Sequence, residues 1–161
     1  MSVEFRLESY DGPAAQELIA EVQQEYVRRY GGPDETVLTA ADFAAPNGVF
    51  FVAYLDGEPA ATGAWRAHGD ADAEMKRLYV RPAARGLGLA RRMVAVLEDA
   101  AREAGRRRMI LETGGEQPEA ISLYTSMGYA AIEPFGFYAE ADGALHFGRV
   151  LAAEDAVTSA G

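Results

Sequence analysis

Leu78-Tyr79-Val80-Arg81-Pro82-Ala83-Ala84-Arg85-Gly86-Leu87-Gly88-Leu89-Ala90 is the stretch that decides how this chain is read. A strand from Met75 to Arg81, closed by Pro82, enters a glycine-bearing turn and passes directly into the longest helix. Glycines at such a junction let the backbone approach a ligand and turn successive N–H groups toward one point. The helix N-terminus adds partial positive charge, so the junction suits a phosphate. Arg85, Arg91 and Arg92 are available for charge-assisted contacts. A tight strand-to-helix turn with solvated arginines is the plain alternative. A dinucleotide fingerprint, G-x-G-x-x-G, is disfavoured because Arg91 stands three residues after Gly88 and three or four elements precede the loop.

Outward from the loop, the patterning describes one mixed α/β domain over residues 1–151. Val3, Phe5 and Leu7 alternate with charged residues as in a half-buried strand. Pro13 opens a helix whose Leu18, Ile19, Val22 and Tyr26 recur at helical spacing until Gly31-Gly32-Pro33 stops it. A short second helix is expected at 40–45. Strands follow at 49–55 and 60–67, joined by Asp56-Gly57, a hairpin turn signal. After the loop, Leu89, Met93, Val96, Leu97, Ala100 and Ala104 form the expected apolar stripe, and Gly105 ends the helix. Met109-Ile110-Leu111 starts a buried strand, and Pro118 opens a helix closed by Gly128. Strands at 129–132 and 144–151 finish the domain, around an excursion at 134–143. Residues 152–161 lack apolar periodicity and are expected to form a disordered tail.

Composition narrows the function. The 161 residues carry 15 Lys+Arg against 25 Asp+Glu, a net charge of −10, which argues against a duplex nucleic-acid binder. The balance is uneven: from Lys76 to Arg108 ten basic side chains face three acids, so that window is +7 and the rest is −17. With no Cys, disulfides, thiolate nucleophiles and Cys-ligated metals are excluded. The two histidines, His68 and His146, are far apart and read as ordinary surface or half-buried residues, so no metal site is expected. Lys76 is the only lysine and is no Walker lysine; no serine sits in a G-x-S-x-G elbow. No run is long enough to span a bilayer, and the N-terminus has no signal architecture. The expectation is a cytoplasmic protein without membrane or nucleic-acid partners.

Two blocks carry a resemblance. Arg85-Gly86-Leu87-Gly88-Leu89-Ala90 resembles the central motif of the GNAT superfamily of acyl-CoA-dependent N-acyltransferases, matching at Arg85, Gly88 and Ala90. Ala120-Ile121-Ser122-Leu123-Tyr124-Thr125-Ser126-Met127-Gly128-Tyr129 resembles the family's tyrosine-bearing helix, in the right order and at the right spacing. The resemblance implies a GNAT-like α/β fold: a mixed, mostly antiparallel sheet of six to seven strands, splayed at the centre, with helices on both faces. It implies acetyl-CoA as cosubstrate, its pyrophosphate on the amides of Gly86, Leu87, Gly88, Leu89 and Ala90 behind Arg85. The strand edge Leu78, Tyr79 and Val80 would pair with the pantetheine arm, and the Val80 amide would polarise the thioester carbonyl. Tyr124 matches the acid that protonates the departing thiolate; a core aromatic is its other reading. Glu74 matches a general-base register, with strict alternation putting it on the same face as Lys76, Leu78 and Val80. A solvated strand-end acid is the alternative, and Glu112 on the next strand is the reserve base. Gln117 stands where many relatives carry Asn and would offer its amide to the pantetheine from one methylene further out.

On the acceptor side, the loop from Tyr30 to Pro46 and Pro134-Phe135-Gly136-Phe137-Tyr138 would either line a pocket or close the core. The acidic remainder of the chain would attract a cationic amine, small or peptidic. An N-acetyltransferase working by direct amine attack is the leading reading. A non-catalytic acyl-CoA-binding regulatory module and a generic nucleotide-binding domain are the alternatives. Family members are often dimers, so a homodimer stays open.

Overall fold

The chain, as a computed structural model that describes residues 1–151, forms seven strands and three helices: β1 (Val3–Leu7), α1 (Pro13–Tyr30), β2 (Gly48–Leu55), β3 (Glu58–His68), β4 (Asp72–Val80), α2 (Leu89–Glu103), β5 (Arg108–Gly114), α3 (Pro118–Ser126), β6 (Ala130–Ala131) and β7 (Ala144–Val150). One sheet contains all seven strands in the order β1-β2-β3-β4-β5-β7-β6. Every neighbouring pair is antiparallel except β4 with β5. The tail expected at 152–161 lies outside the described residues.

Helix α1 buries Ala15, Leu18, Ile19 and Val22, one stripe at helical spacing, against Phe50 and Val52 of β2 and Tyr79 of β4. Helix α2 covers the opposite face, packing Met93, Val94, Leu97 and Ala101 on Ala61, Trp65, Met75 and Met109. The short helix expected at 40–45 is a 3-10 turn, Ala40–Phe43. Pro46 has no amide with which to continue a helix, and the amides of Asn47 and Gly48 fold back on the Ala44 carbonyl.

Two expectations fail for physical reasons. On α2 the inward stripe includes Val94, Glu98 and Ala101; Ala100 packs half-buried against the same cluster, while Val96 is only half-buried and Ala104 is exposed. Excluding a glutamate from the core rotates the stripe by a position, yet Glu98 is buried because Tyr129 Oη donates to it at 2.7 Å and Arg149 Nη1 at 2.6 Å.

The second failure concerns β4. Arg77 has φ 58°, in the left-handed region, and the β3–β4 register shifts between Thr62 and Ala64. Thr62 Oγ1 donates to the Arg77 carbonyl at 2.7 Å across this bulge. A bulge inserts one residue and reverses the facing of everything after it. Ala73 and Met75 before it, and Leu78 and Val80 after it, share the α2 face. Tyr79, beyond the bulge, packs with the α1 cluster. Glu74 therefore stands on the face opposite Leu78 and Val80, where simple alternation had put all three together.

Candidate functional site

The parallel strands β4 and β5 pair only at Asp72, Ala73 and Glu74 against Arg108, Met109 and Ile110. Beyond Glu74 they part, while β5 goes on pairing with β7 as far as Gly114. A wedge opens in mid-sheet. On the other side of β4, Arg81 N–H donates to the Ala60 carbonyl, so Arg81 and Ala60 form a hydrogen-bonded pair. Alternation in an antiparallel ladder then makes Val80 and Ala61 a non-hydrogen-bonded pair, and the Val80 amide turns away from β3 into the wedge.

The glycine loop crowns this wedge. Gly86 (φ 83°) and Gly88 (φ 76°) adopt a conformation open to glycine, and Gly88 caps α2 without a side chain. The first ladder bond of α2 runs from Arg92 N–H to the Gly88 carbonyl. The amides of Leu89, Ala90 and Arg91 precede it and are first-turn donors at the positive end of a helix. Gly86 and Leu87 are exposed, so the donor set fits a phosphate by chemistry and access alike.

The three loop arginines are otherwise employed. Arg85 Nε donates to the Val80 carbonyl at 2.9 Å and its Nη2 to Glu25 at 3.0 Å, which ties the loop to β4 and α1. Arg91 donates to Ser126 Oγ at 2.7 Å, and Arg92 lies over the Phe5 ring. Part of the basic window is neutralised within the chain: Arg81 pairs with Glu17 and Glu21, and Arg108 with Asp72 and Glu133. What the loop offers a phosphate is its amides and the helix polarity, since Arg85, Arg91 and Arg92 are each engaged within the described residues.

Below the loop, the wedge widens into a cavity of about 610 Å³. Leu78, Glu112, Gln117 and Tyr124 line it; Glu74, Tyr79, Val80 and the loop from Arg85 to Ala90 do not. Tyr124 is 6% exposed, and burial pushes its phenol well above the ordinary value, with Tyr26 and Glu112 adding to the shift. Its hydroxyl stays protonated through the neutral range, but giving up that proton is harder than solution values suggest. Gln117 precedes α3, and its side-chain oxygen accepts from Thr113 Oγ1 at 3.1 Å and Tyr30 Oη at 3.4 Å. The carbonyl end is thereby held, leaving the NH₂ end as the donor.

The two candidate bases have different surroundings. Glu74 is buried and accepts from Arg66 Nε at 2.9 Å, an ion pair that occupies its carboxylate. Glu112 lies on the same face, on the next strand. Burial raises its carboxyl to about 7, helped by Asp34 and Glu74 and opposed by the Lys76 ammonium.

A charge cluster that motif reading missed forms one wall. Asp34 Oδ2 accepts from Lys76 Nζ at 2.8 Å and from Arg77 Nη1 at 2.7 Å. Tyr138 Oη donates to Asp34 Oδ1 at 3.0 Å. Burial alone would raise the Asp34 carboxyl; Lys76, the Thr36 amide and Arg77 overcome that and hold it well below the usual carboxylate range. The available signal was Lys76-Arg77 itself, since two adjacent cations inside a buried strand need an acid partner. The aromatic segment divides: Tyr138 lines the cavity, whereas Phe135 packs between His68 (5.3 Å) and His146 (5.1 Å). His146, expected at the surface or half-buried, is buried opposite Glu112 on β7, with neither ring nitrogen paired among the described residues.

Residues 16–129 match the model of the Acetyltransferase (GNAT) family, and the chain belongs to that family. An IAA acetyltransferase of Azospirillum brasilense is 35% identical over 126 residues, 78% of this chain and 82% of that protein. The N-acetyltransferase YjgM of Escherichia coli (strain K12) is 31% identical over 140 residues, 80% of this chain and 81% of its own. A crystal structure from Klebsiella pneumoniae superposes with TM-score 0.76 at 26% identity, covering 92% of this chain and 97% of that one. The PaiA N-acetyltransferase of Thermoplasma acidophilum, solved with coenzyme A, shares the fold with TM-score 0.71 at 15% identity, over 93% and 99% of the two chains. The protein is thus an acyltransferase of the N-acetyltransferase type whose cosubstrate is acetyl-CoA. Among the described residues no helix is long and apolar enough to cross a membrane, and no group of His, Cys, Asp or Glu is placed to hold a metal.

Proposed function

We propose that this chain transfers acetyl from acetyl-CoA to a primary amine by direct attack, with both substrates bound together. The observation that carries the reading is Glu112 and Tyr124 lining one cavity in the β4–β5 wedge, an acid–base pair of unequal strength. Bound acetyl-CoA supplies the acetyl group as a thioester. The loop amides from Gly86 to Ala90 hold the phosphates, and the β4 edge at Leu78 and Val80, next to the buried Tyr79, receives the extended arm. Gln117 directs its NH₂ toward the same arm.

Glu112 takes the proton that an amine must lose before it can attack. A carboxyl with a value of about 7 is half ionised at neutral pH, which suits a general base. The Val80 amide donates to the carbonyl oxygen as charge develops there. Tyr124 gives its proton to the departing sulfur. Glu74, the base first favoured by register, holds Arg66 and stays outside the cavity. With no cysteine in the chain, and no activated serine evident in its sequence, direct attack needs no covalent relay.

The test is thiol release from acetyl-CoA across a panel of small amines and amine-bearing peptides, with product mass measured alongside. Turnover on at least one amine, lowered by Glu112→Gln and by Tyr124→Phe, supports the reading. Acetyl-CoA binding without turnover on any acceptor would favour the regulatory-module reading instead.

A further inference from the structure

The wall of the cavity formed by Lys76, Arg77 and Asp34 carries more positive charge than it balances. Both cations donate to the same oxygen, Asp34 Oδ2, and their side chains are only 9% and 3% exposed. Arg77 Nε is buried with no partner among the described residues. Two buried cations against one carboxylate leave one positive charge facing the cavity that both line. An uncompensated buried charge is strongly unfavourable, so its persistence calls for an anionic partner.

Two acids are near enough to be considered. Glu74 is committed to Arg66. Glu112 can offset the excess while ionised, but in the proposed reaction it takes up the amine's proton and loses its charge. An entering ammonium adds a positive charge, and passing its proton to Glu112 leaves the net charge unchanged, so the excess persists through the step the site serves. An acceptor that brings its own anion removes the imbalance, and a guanidinium with an adjacent ammonium is well matched to a carboxylate. The mouth has the opposite character: Glu35, Glu116 and Asp142 line it and are exposed, which draws in an ammonium.

We propose that the acceptor is an amine that also carries a carboxylate, of the amino-acid class, with its carboxylate held at Lys76 and Arg77 and its amine presented to Glu112. This rests on the acetyl-transfer reading above and adds the substrate class to it. It also reverses the simpler expectation from net charge, under which a purely cationic amine would be preferred.

The experiment pairs each amino acid with the amine that lacks its carboxylate, for example tyrosine with tyramine and 4-aminobutyrate with propylamine. Thiol release is measured with the full-length wild type, with Lys76→Gln and with Arg77→Lys. The expected result is a kcat/KM at least tenfold higher for the carboxylate-bearing member of the preferred pair. Lys76→Gln should abolish most of that preference through KM; because Lys76 also lowers the Glu112 carboxyl, the two members of each pair are compared within each variant on the plateau above its own pH inflection. Arg77→Lys retains a cation at the bulge and should keep part of the preference, which separates charge from folding. Equal or better turnover of the decarboxylated amines would overturn the inference and leave acetyl transfer standing. Acetyl-CoA binding by calorimetry with no acetylation of either set would overturn both.

Discussion

Glu74 and Glu112 stand on adjacent parallel strands and on the same face of the sheet, yet only Glu112 lines the cavity, because Arg66 holds Glu74 at 2.9 Å. Their difference is one of partners as well as position. Glu112→Gln should lower kcat/KM about a hundredfold or more, the usual weight of a general base. In the wild type, kcat/KM should rise with pH through about 7 as Glu112 ionises, and that inflection should vanish in the variant. Glu74→Gln should keep the inflection and most of the rate. It should lose ~1 kcal/mol of stability as a partly exposed ion pair with Arg66 is weakened. Steady-state kinetics from pH 5.5 to 9 and urea unfolding check the two halves.

Tyr124→Phe removes one hydroxyl and keeps the ring that packs 5.7 Å from Tyr129. Acetyl-CoA affinity and unfolding midpoint should change little. Turnover should fall on the order of a hundredfold, the low side of what acid catalysis contributes. Calorimetry and thiol-release kinetics on the same preparation separate binding from chemistry. Equal turnover of the variant on its best amine would remove Tyr124 as the acid.

Asp34 anchors the loop after α1 to β4 and to Tyr138, so Asp34→Asn should destabilise the protein at pH 7. Removing one partner of a buried cluster leaves uncompensated charge and loses about 3 kcal/mol or more. Because the folded-state carboxyl is depressed, its contribution is complete above the unfolded value near 4 and fades as pH falls below it. The gap between wild type and variant should therefore be widest at neutral pH and narrow as pH is lowered from 4 toward 2. Denaturant midpoints at pH 7, 4 and 3 give the comparison.

Gly114 ends β5 against Tyr30. A Cβ there would meet the Tyr30 hydroxyl at 2.2 Å and its ring carbon at 2.4 Å. Gly114→Ala must push the tyrosine away, breaking its bond to Gln117 and altering the cavity both line. The expected effect is a loss of about 1 to 3 kcal/mol from overpacking. A weaker affinity for acetyl-CoA should accompany it, measured by calorimetry; Gly114→Ala together with Tyr30→Ala should recover the stability.

The parts of this molecule that were legible in sequence are those written in contiguous residues. The loop from Arg85 to Ala90 and the helix around Tyr124 are local patterns, and local patterns identify the family and the element order. The bulge at Arg77 is different: an arginine at φ 58° carries no turn signature, and one inserted residue moved Glu74 to the other face. Glu98 misled for a related reason, since its partners lie 31 and 51 residues away and nothing near it announces them. The Asp34 cluster joins residues 42, 43 and 104 positions apart, so only the folded chain brings it together. Arg85 shows the limit of motif reading, because its guanidinium proves to brace the loop against Val80 and Glu25.

The most direct test of acetyl transfer at this cavity is simultaneous measurement of thiol release and acetylated-amine mass, with wild type and Glu112→Gln, across pH 5.5 to 9. The expected result is one acetylated amine per thiol released, no thiol burst before amine is added, and a rise through about pH 7 that Glu112→Gln abolishes. A stoichiometric thiol burst without amine, or an unchanged pH profile in Glu112→Gln, would contradict it.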